Sequence, residues 1–188
     1  MYEIIHLKKG DRFTEVGEYV VLSGILACNV SQHLVKFISQ GDMFICDSYF
    51  SNGAVVYESK QDTKLGKLIQ QDSILYSKRR ERQKNEITQL LLDRIDLLVL
   101  PTRERIMVFL FQLANQIGTV HEEDCHIPRV LTQVEFSKHV NCSREYLFGI
   151  RKILIEENWI LKSREWVLLN WNNWEKGMER IAEDSEFK

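Results

Sequence analysis

The stretch SKRRERQKNEITQLLLDRIDLLVL, residues 77–100, contains neither glycine nor proline, and no other feature constrains the fold as strongly. An uninterrupted run of good helix formers predicts one long helix, within a segment reaching from about residue 71 to 100. A helix of that length separates the N-terminal third of the chain from the C-terminal half. Its first half is polar all round. Its second half places Ile87, Leu91, Ile95 and Leu98 at steps of four, four and three, the spacing of a helix–helix seam. Little local protein is available to cover so long a helix, so the seam predicts parallel pairing of two identical chains, with these four residues as the dimer interface.

Residues 1–70 read as strands. YVVLSGILACNV and HLVKFIS are short β-rich runs around SQ, AVVYES and KLGKLI continue the spacing, and Gly10-Asp11 and Gly41-Asp42 supply turns. Many short strands with Gly/Asp punctuation predict a small antiparallel barrel or jelly roll. Beyond the long helix, Pro101 favours the first position of a new helix, RERIMVFLFQLANQIG, which Gly118 closes.

The last third carries the functional pattern. Thr132-Gln133-Val134-Glu135 fits a capping box and predicts a short helix over roughly 132–140. Ser137 is small enough to let a second helix cross closely. Asn141 tolerates the left-handed conformation of a sharp turn, and Ser143 is suited to cap the next helix. On that helix Tyr146, Leu147, Ile150, Ile153 and Leu154 fall in one arc, while Arg144, Glu145, Phe148, Gly149, Arg151 and Lys152 fall in the other. A solvated charged face is the ordinary explanation of such an arc. A preceding capped helix and tight turn instead predict a helix-turn-helix whose second helix enters the major groove. ILKS and EWVLLNW, on either side of Arg164, read as a β-hairpin wing. Between residues 129 and 152 five cationic side chains stand against two anionic ones, a net +3 where a phosphate backbone requires it. After the wing, Trp171, Trp174, Met178 and Ile181 recur at helical steps and predict a closing helix, against which Gly177 argues.

Composition narrows the alternatives. The net charge is −2, so only local charge can favour nucleic acid. No run reaches the roughly 18 apolar residues of a membrane span, and the apolar stretch of MYEIIHLKKGDRF is short for a secretory signal; a cytoplasmic protein is expected. Cys28, Cys46, Cys125 and Cys142 lack paired metal-ligand spacing, which fits a reducing compartment and small buried hydrophobes. A cupin-type enzyme would need clustered histidine and carboxylate ligands, yet His33 is the only histidine between His6 and His121, and His6, His121 and His126 have no coordination spacing. His139 lies in the capped helix, where it packs or meets phosphate. No nucleophile–base pair or Gly-rich phosphate loop is present. Neither an enzyme nor a metal or cofactor is expected.

CSREYLFGIRKILIEENWI resembles the recognition helix of the Crp/Fnr superfamily of bacterial transcription regulators. LKKGD, the VLSG turn and QGDMF resemble its N-terminal β-roll, and LPTRERIMVFLFQLA resembles its junction into the DNA-binding domain. The likeness covers nearly the whole chain. It implies an α+β fold: an N-terminal antiparallel, jelly-roll-like β-roll (residues 1–70), a long dimerisation helix (71–100) and a C-terminal winged helix-turn-helix with an extension (101–188). It also implies a homodimeric regulator on a pseudo-palindromic site, with double-stranded DNA, a second copy and RNA polymerase as partners. Cyclic-nucleotide-binding members follow the second GD with a Gly-Glu pair for the ribose and later an Arg-Ser or Arg-Thr for the phosphate. Here Cys46-Asp47 stands where Gly-Glu is expected, and no arginine occurs between Arg12 and Arg79. Cyclic-nucleotide control is not expected. GDMFICDSYFS has some likeness to the virulence-activator branch, which implies a different effector or none.

The expected DNA contacts are Arg144, Glu145 and Phe148 on base edges, with Thr132, Gln133, Ser143, Arg151 and Lys152 on the backbone. Gly149 stands where some members carry a further arginine. The other reading from this class is a winged-helix protein whose β-roll senses a small effector and which works through protein contacts.

Overall fold

The Gly-Asp turns of the first third are built twice in the same way. Gly10 and Gly41 adopt φ of 91° and 92°, a region glycine enters without steric cost. In each turn the aspartate accepts a backbone N–H three residues earlier, Asp11 from Lys8 and Asp42 from Ser39, both at 2.8 Å. The computed structural model describes residues 2–31, 33–47, 55–69 and 73–186. The turns join strands of two four-stranded antiparallel sheets. One runs β1 (Tyr2–Leu7), β8 (Thr63–Leu68), β3 (Gly17–Ser23), β6 (Met43–Cys46); the other runs β2 (Arg12–Phe13), β7 (Val55–Ser59), β4 (Leu26–Val30), β5 (His33–Ile38). Phe13, Tyr19, Leu26, Phe44, Tyr57 and Leu65 from both sheets form a shared core, and Phe44 and Tyr57 meet with ring centroids 4.5 Å apart. This is the expected jelly-roll-like β-roll. The stretch SYFSNGA between β6 and β7, part of the region expected to lack a phosphate-holding arginine, lies outside the described residues.

The long helix α1 spans Ser73–Val99. The chain divides into two compact units, Met1–Arg94 and Ile95–Lys188. Within the first unit α1 lies on the roll along one face, through Arg80, Gln83, Ile87, Leu91 and Arg94. Ile87 is 5% exposed and belongs to the roll's core, with Leu91 packed against it. Strand β6 forms an edge of its sheet, and Gln83 covers that edge: its Oε1 accepts the Ile45 N–H and its Nε2 donates to the Ile45 carbonyl, both at 2.7 Å. The side-chain amide thereby takes the place of the next strand. Arg79 Nη2 donates to the buried Glu18 at 2.9 Å, Arg80 pairs with Asp47, and Arg94 donates to the Leu34 carbonyl at 3.0 Å. The half of α1 that looks polar all round is therefore an interface, in which the buried carboxylates of Glu18 and Asp47 each meet an arginine.

In the second unit α2 (Thr102–Ile117) starts immediately after Pro101. It is followed by β9 (Thr119–His121), β10 (Asp124–Ile127), α3 (Gln133–His139), α4 (Arg144–Glu156), β11 (Trp166–Leu168) and α5 (Trp171–Glu186). The three strands form one antiparallel sheet in the order β11-β10-β9. The expected wing hairpin has a single strand as its second arm; its first arm is reduced to one bridge, Ile160 to Leu168. The partner strand is β10, for which the residue pattern gives no strand signal. The closing helix is present. Trp174 is fully buried, its Nε1 donating to the Trp159 carbonyl at 3.1 Å, and Trp171 stacks on Phe111 of α2. Gly177 has a packing reason here: a Cβ at that position would come within 3.1 Å of the Trp159 ring.

Candidate nucleic-acid interface

Two caps and a turn position the candidate reading helix. Thr132 Oγ1 accepts the Glu135 N–H at 3.2 Å while Glu135 Oε2 accepts the Thr132 N–H at 2.7 Å, so the capping box is complete. The turn after α3 carries Asn141 at φ 51°, and the Cys142 N–H reaches back to the Ser137 carbonyl at 3.0 Å. Ser137 is buried at the crossing. Ser143 then caps α4, accepting the Tyr146 N–H at 3.1 Å.

Helix α4 buries Leu147, Ile150 and Leu154. Tyr146 and Ile153, expected inside, are exposed. At about 100° per residue they lie at one margin of the stripe. On the opposite side Arg144, Glu145, Phe148 and Lys152 are exposed. Phe148, 55% exposed, has the Lys152 ammonium 4.6 Å above its ring. Glu145 is held below the usual carboxylate range by its own backbone N–H, then by the Ser143 hydroxyl and by Arg144. It therefore offers an ionised acceptor beside a guanidinium.

Arg151 differs from its neighbours. It is half-buried, and its Nη2 donates to the Ser163 carbonyl at 2.7 Å and to the Glu165 carbonyl at 3.1 Å. Its guanidinium lies 4.3 Å over the Trp166 ring. Burial holds its pKa below the ordinary arginine value. The expected backbone-contact residue is thus turned toward the wing. Thr132 and Gln133 are exposed at the start of α3 and share with Arg129, Arg164 and Glu165 an open cleft of about 120 Å³.

Of the four seam residues, Ile95 (60% exposed) and Leu98 are on the surface, whereas Ile87 is engaged by its own roll. In the C-terminal half of α1 the exposed apolar residues are Leu92, Ile95, Leu98 and Val99. His139 is buried and stacks on Phe109 at 3.9 Å, the packing role of the two considered. The rings of His121 and His126 meet at 5.4 Å across β9 and β10, a proximity that the antiparallel register creates and linear spacing conceals. Among the described residues no group of three or more His, Cys, Asp or Glu is placed to hold a metal, and no helix is long and apolar enough to cross a membrane.

An antiparallel β-roll, a long helix and a capped helix-turn-helix with a wing together make a mixed α+β architecture. No family model matches the chain, and no curated protein matches it. Solved structures do. A CRP/FNR-family transcriptional regulator from Thermus thermophilus aligns over 93% of this chain and 97% of its own, with a TM-score of 0.69 at 18% identity. FixK2 from Bradyrhizobium japonicum aligns over 94% and 96%, with a TM-score of 0.69 at 12% identity. A cyclic nucleotide-binding domain containing protein from Listeria monocytogenes aligns over 91% of both chains, with a TM-score of 0.67 at 14% identity. Over most of its length the chain has the fold of these solved Crp/Fnr-family structures.

Proposed function

We propose that the protein is a sequence-specific DNA-binding transcription regulator that acts as a homodimer on a pseudo-palindromic site. The observation that carries this reading is the outward face of α4. Directly after a capped turn it presents a guanidinium, an ionised carboxylate and an exposed aromatic ring. Arg144 pairs with guanine O6 and N7, Glu145 accepts from a cytosine amino group, and Phe148 lies against a thymine methyl. Thr132, Gln133, Ser143 and Lys152 meet phosphates and set the register. RNA polymerase is the downstream partner.

Dimerisation rests on the exposed stripe Leu92, Ile95, Leu98 and Val99 of α1, which an identical helix would cover; Leu91 lies at its edge, and Ile87 serves the roll. Cyclic nucleotide plays no part in this reading. Asp47, in the position where a ribose-holding glutamate is expected, is paired with Arg80, and Glu18 is paired with Arg79. Groups that could serve a ligand are thus engaged by the chain's own helix.

The two classes of contact separate under mutation. Arg144→Ala should cost on the order of 1–3 kcal/mol and relax preference at one base pair per half-site, whereas Lys152→Ala should weaken binding to all sequences and flatten its salt dependence. An unchanged half-site preference in Arg144→Ala contradicts the proposed docking of α4.

A further inference from the structure

The wing turn between Ile160 and Trp166 has few contacts of its own. Leu161 N–H donates to the Val167 carbonyl at 3.0 Å, and Ser163 closes a small loop on itself: its Oγ donates to the Glu165 carbonyl at 2.8 Å and accepts the Glu165 N–H at 3.2 Å. Lys162, Arg164 and Glu165 are exposed. The connection between this turn and the reading helix is Arg151. One guanidinium nitrogen bridges the Ser163 and Glu165 carbonyls, which flank Arg164 on both sides, while the guanidinium plane rests on Trp166 at the start of β11. Trp166 in turn stacks on Phe136 of α3 at 5.2 Å, and Phe136 meets Phe109 of α2 at 4.9 Å. The turn is therefore braced against α4 and, through two rings, against the body of the second unit. Arg164 is left lining the same cleft as Thr132 and Gln133, with Arg129 and Glu165 also on its lining.

We infer that Arg151 is a positioning residue of the DNA interface: it fixes the wing turn so that Arg164, across the cleft from the start of α3, meets a backbone phosphate while α4 occupies the groove. The inference rests on the DNA-binding reading and assigns to Arg164 a phosphate contact and to Arg151 none. Two features favour bracing over direct contact. The guanidinium is half-buried with donors aimed at carbonyl groups, and Arg164 is the cation those carbonyls bracket. A methionine at 151 would retain the aliphatic cover on Trp166 and remove both hydrogen bonds, which isolates the brace from simple packing.

The test is a double-mutant cycle on the full-length protein, with affinity for a bound DNA fragment measured by fluorescence anisotropy between 50 and 200 mM salt. Loss of one phosphate contact per subunit, two per dimer, makes the log–log salt slope shallower by about 1.8, which reduces the affinity lost over that range by about twelvefold. Arg164→Ala and Arg151→Met are each expected to produce that change, and the double variant is expected to show no more than either alone. The half-site selected from random DNA should stay the same in all three. Equal losses from Arg164→Ala in the presence and absence of Arg151 would overturn the inference, because Arg151 would then make its own contact. So would an Arg164→Ala protein with an unaltered slope. Should Arg151→Met fail to fold, Ser163→Ala loosens the same turn from its other side and is expected to blunt the effect of Arg164→Ala; a full Arg164 effect in that background overturns the inference as well. Failure of the unmodified protein to bind any DNA sinks the functional reading itself, a result distinct from all of these.

Discussion

Replacing Gln83 with glutamate tests how α1 is held on the roll. In the native protein the amide accepts the Ile45 N–H and donates to the Ile45 carbonyl, each at 2.7 Å, and Nε2 lies 3.2 Å from the Tyr57 hydroxyl. A protonated glutamate can still accept from the N–H and donate to the carbonyl. An ionised one puts a negative oxygen where the donor stood, against a carbonyl oxygen. Arg79 and Arg80, one turn away, are already paired with Glu18 and Asp47. A carboxyl raised by about two pKa units in this buried place costs about 2.7 kcal/mol once ionised, the broken hydrogen bond included. The variant is therefore expected to lose about 3 kcal/mol at pH 7.5. The folded-state pKa of the new group is raised above its unfolded value of about 4.3. The penalty is therefore absent below that value, grows as pH rises through the folded pKa and is constant above it. All four tryptophans lie between residues 159 and 174, outside the first unit, so tryptophan fluorescence does not report on the roll. Amide exchange at Ile45, compared with that of the native protein at pH 7.5 and again near pH 5, does. Faster exchange that recovers on acidification is expected. Native-like protection at pH 7.5, or a difference that widens as pH falls, would refute the reasoning.

Ile95→Lys should convert the proposed dimer to monomers on size-exclusion chromatography while leaving the roll folded, whereas Ile87→Lys should unfold the roll; a dimeric Ile95→Lys protein would place the interface elsewhere. Trp174→Ala removes a fully buried ring and its hydrogen bond to Trp159 and should cost about 3–5 kcal/mol in denaturation followed by circular dichroism; a loss below about 1 kcal/mol would mean that α5 is not part of the second unit's core. Cyclic AMP should leave the melting temperature unchanged, since a ligand at 100 times its dissociation constant would add about 2.7 kcal/mol of stability; a clear upward shift would reverse the reading of Asp47 and Arg80.

Local chemistry made much of this legible from the chain itself. The Thr132–Glu135 box, Asn141 and Ser143 each act within a turn of themselves, so their identities alone announce the helix, the turn and the next helix. The two Gly-Asp turns are equally self-contained. The features that escaped depend on partners far away in sequence. Arg79, Arg80 and Gln83 look like a solvated face until β3 supplies Glu18, β6 the Ile45 edge and the residue after β6 Asp47. Ile87 and Leu91 fit a dimer seam by spacing, yet the roll takes them first. Arg151 sits on the polar arc by count, at about 40° from the buried Leu147, and the side on which the wing folds back decides its role. Strand β10 is invisible because DCHI has neither alternation nor length, and its pairing with β9 and β11 makes it the centre of the sheet.

Selection of DNA from a random pool by the full-length protein tests the central claim most directly. Enrichment of two inverted half-sites is expected, with centres about one helical turn apart, 10 to 10.5 base pairs, and with one guanine per half-site whose selection is lost in Arg144→Ala. A pool that emerges unchanged from the starting mixture, with the protein folded, would contradict the claim.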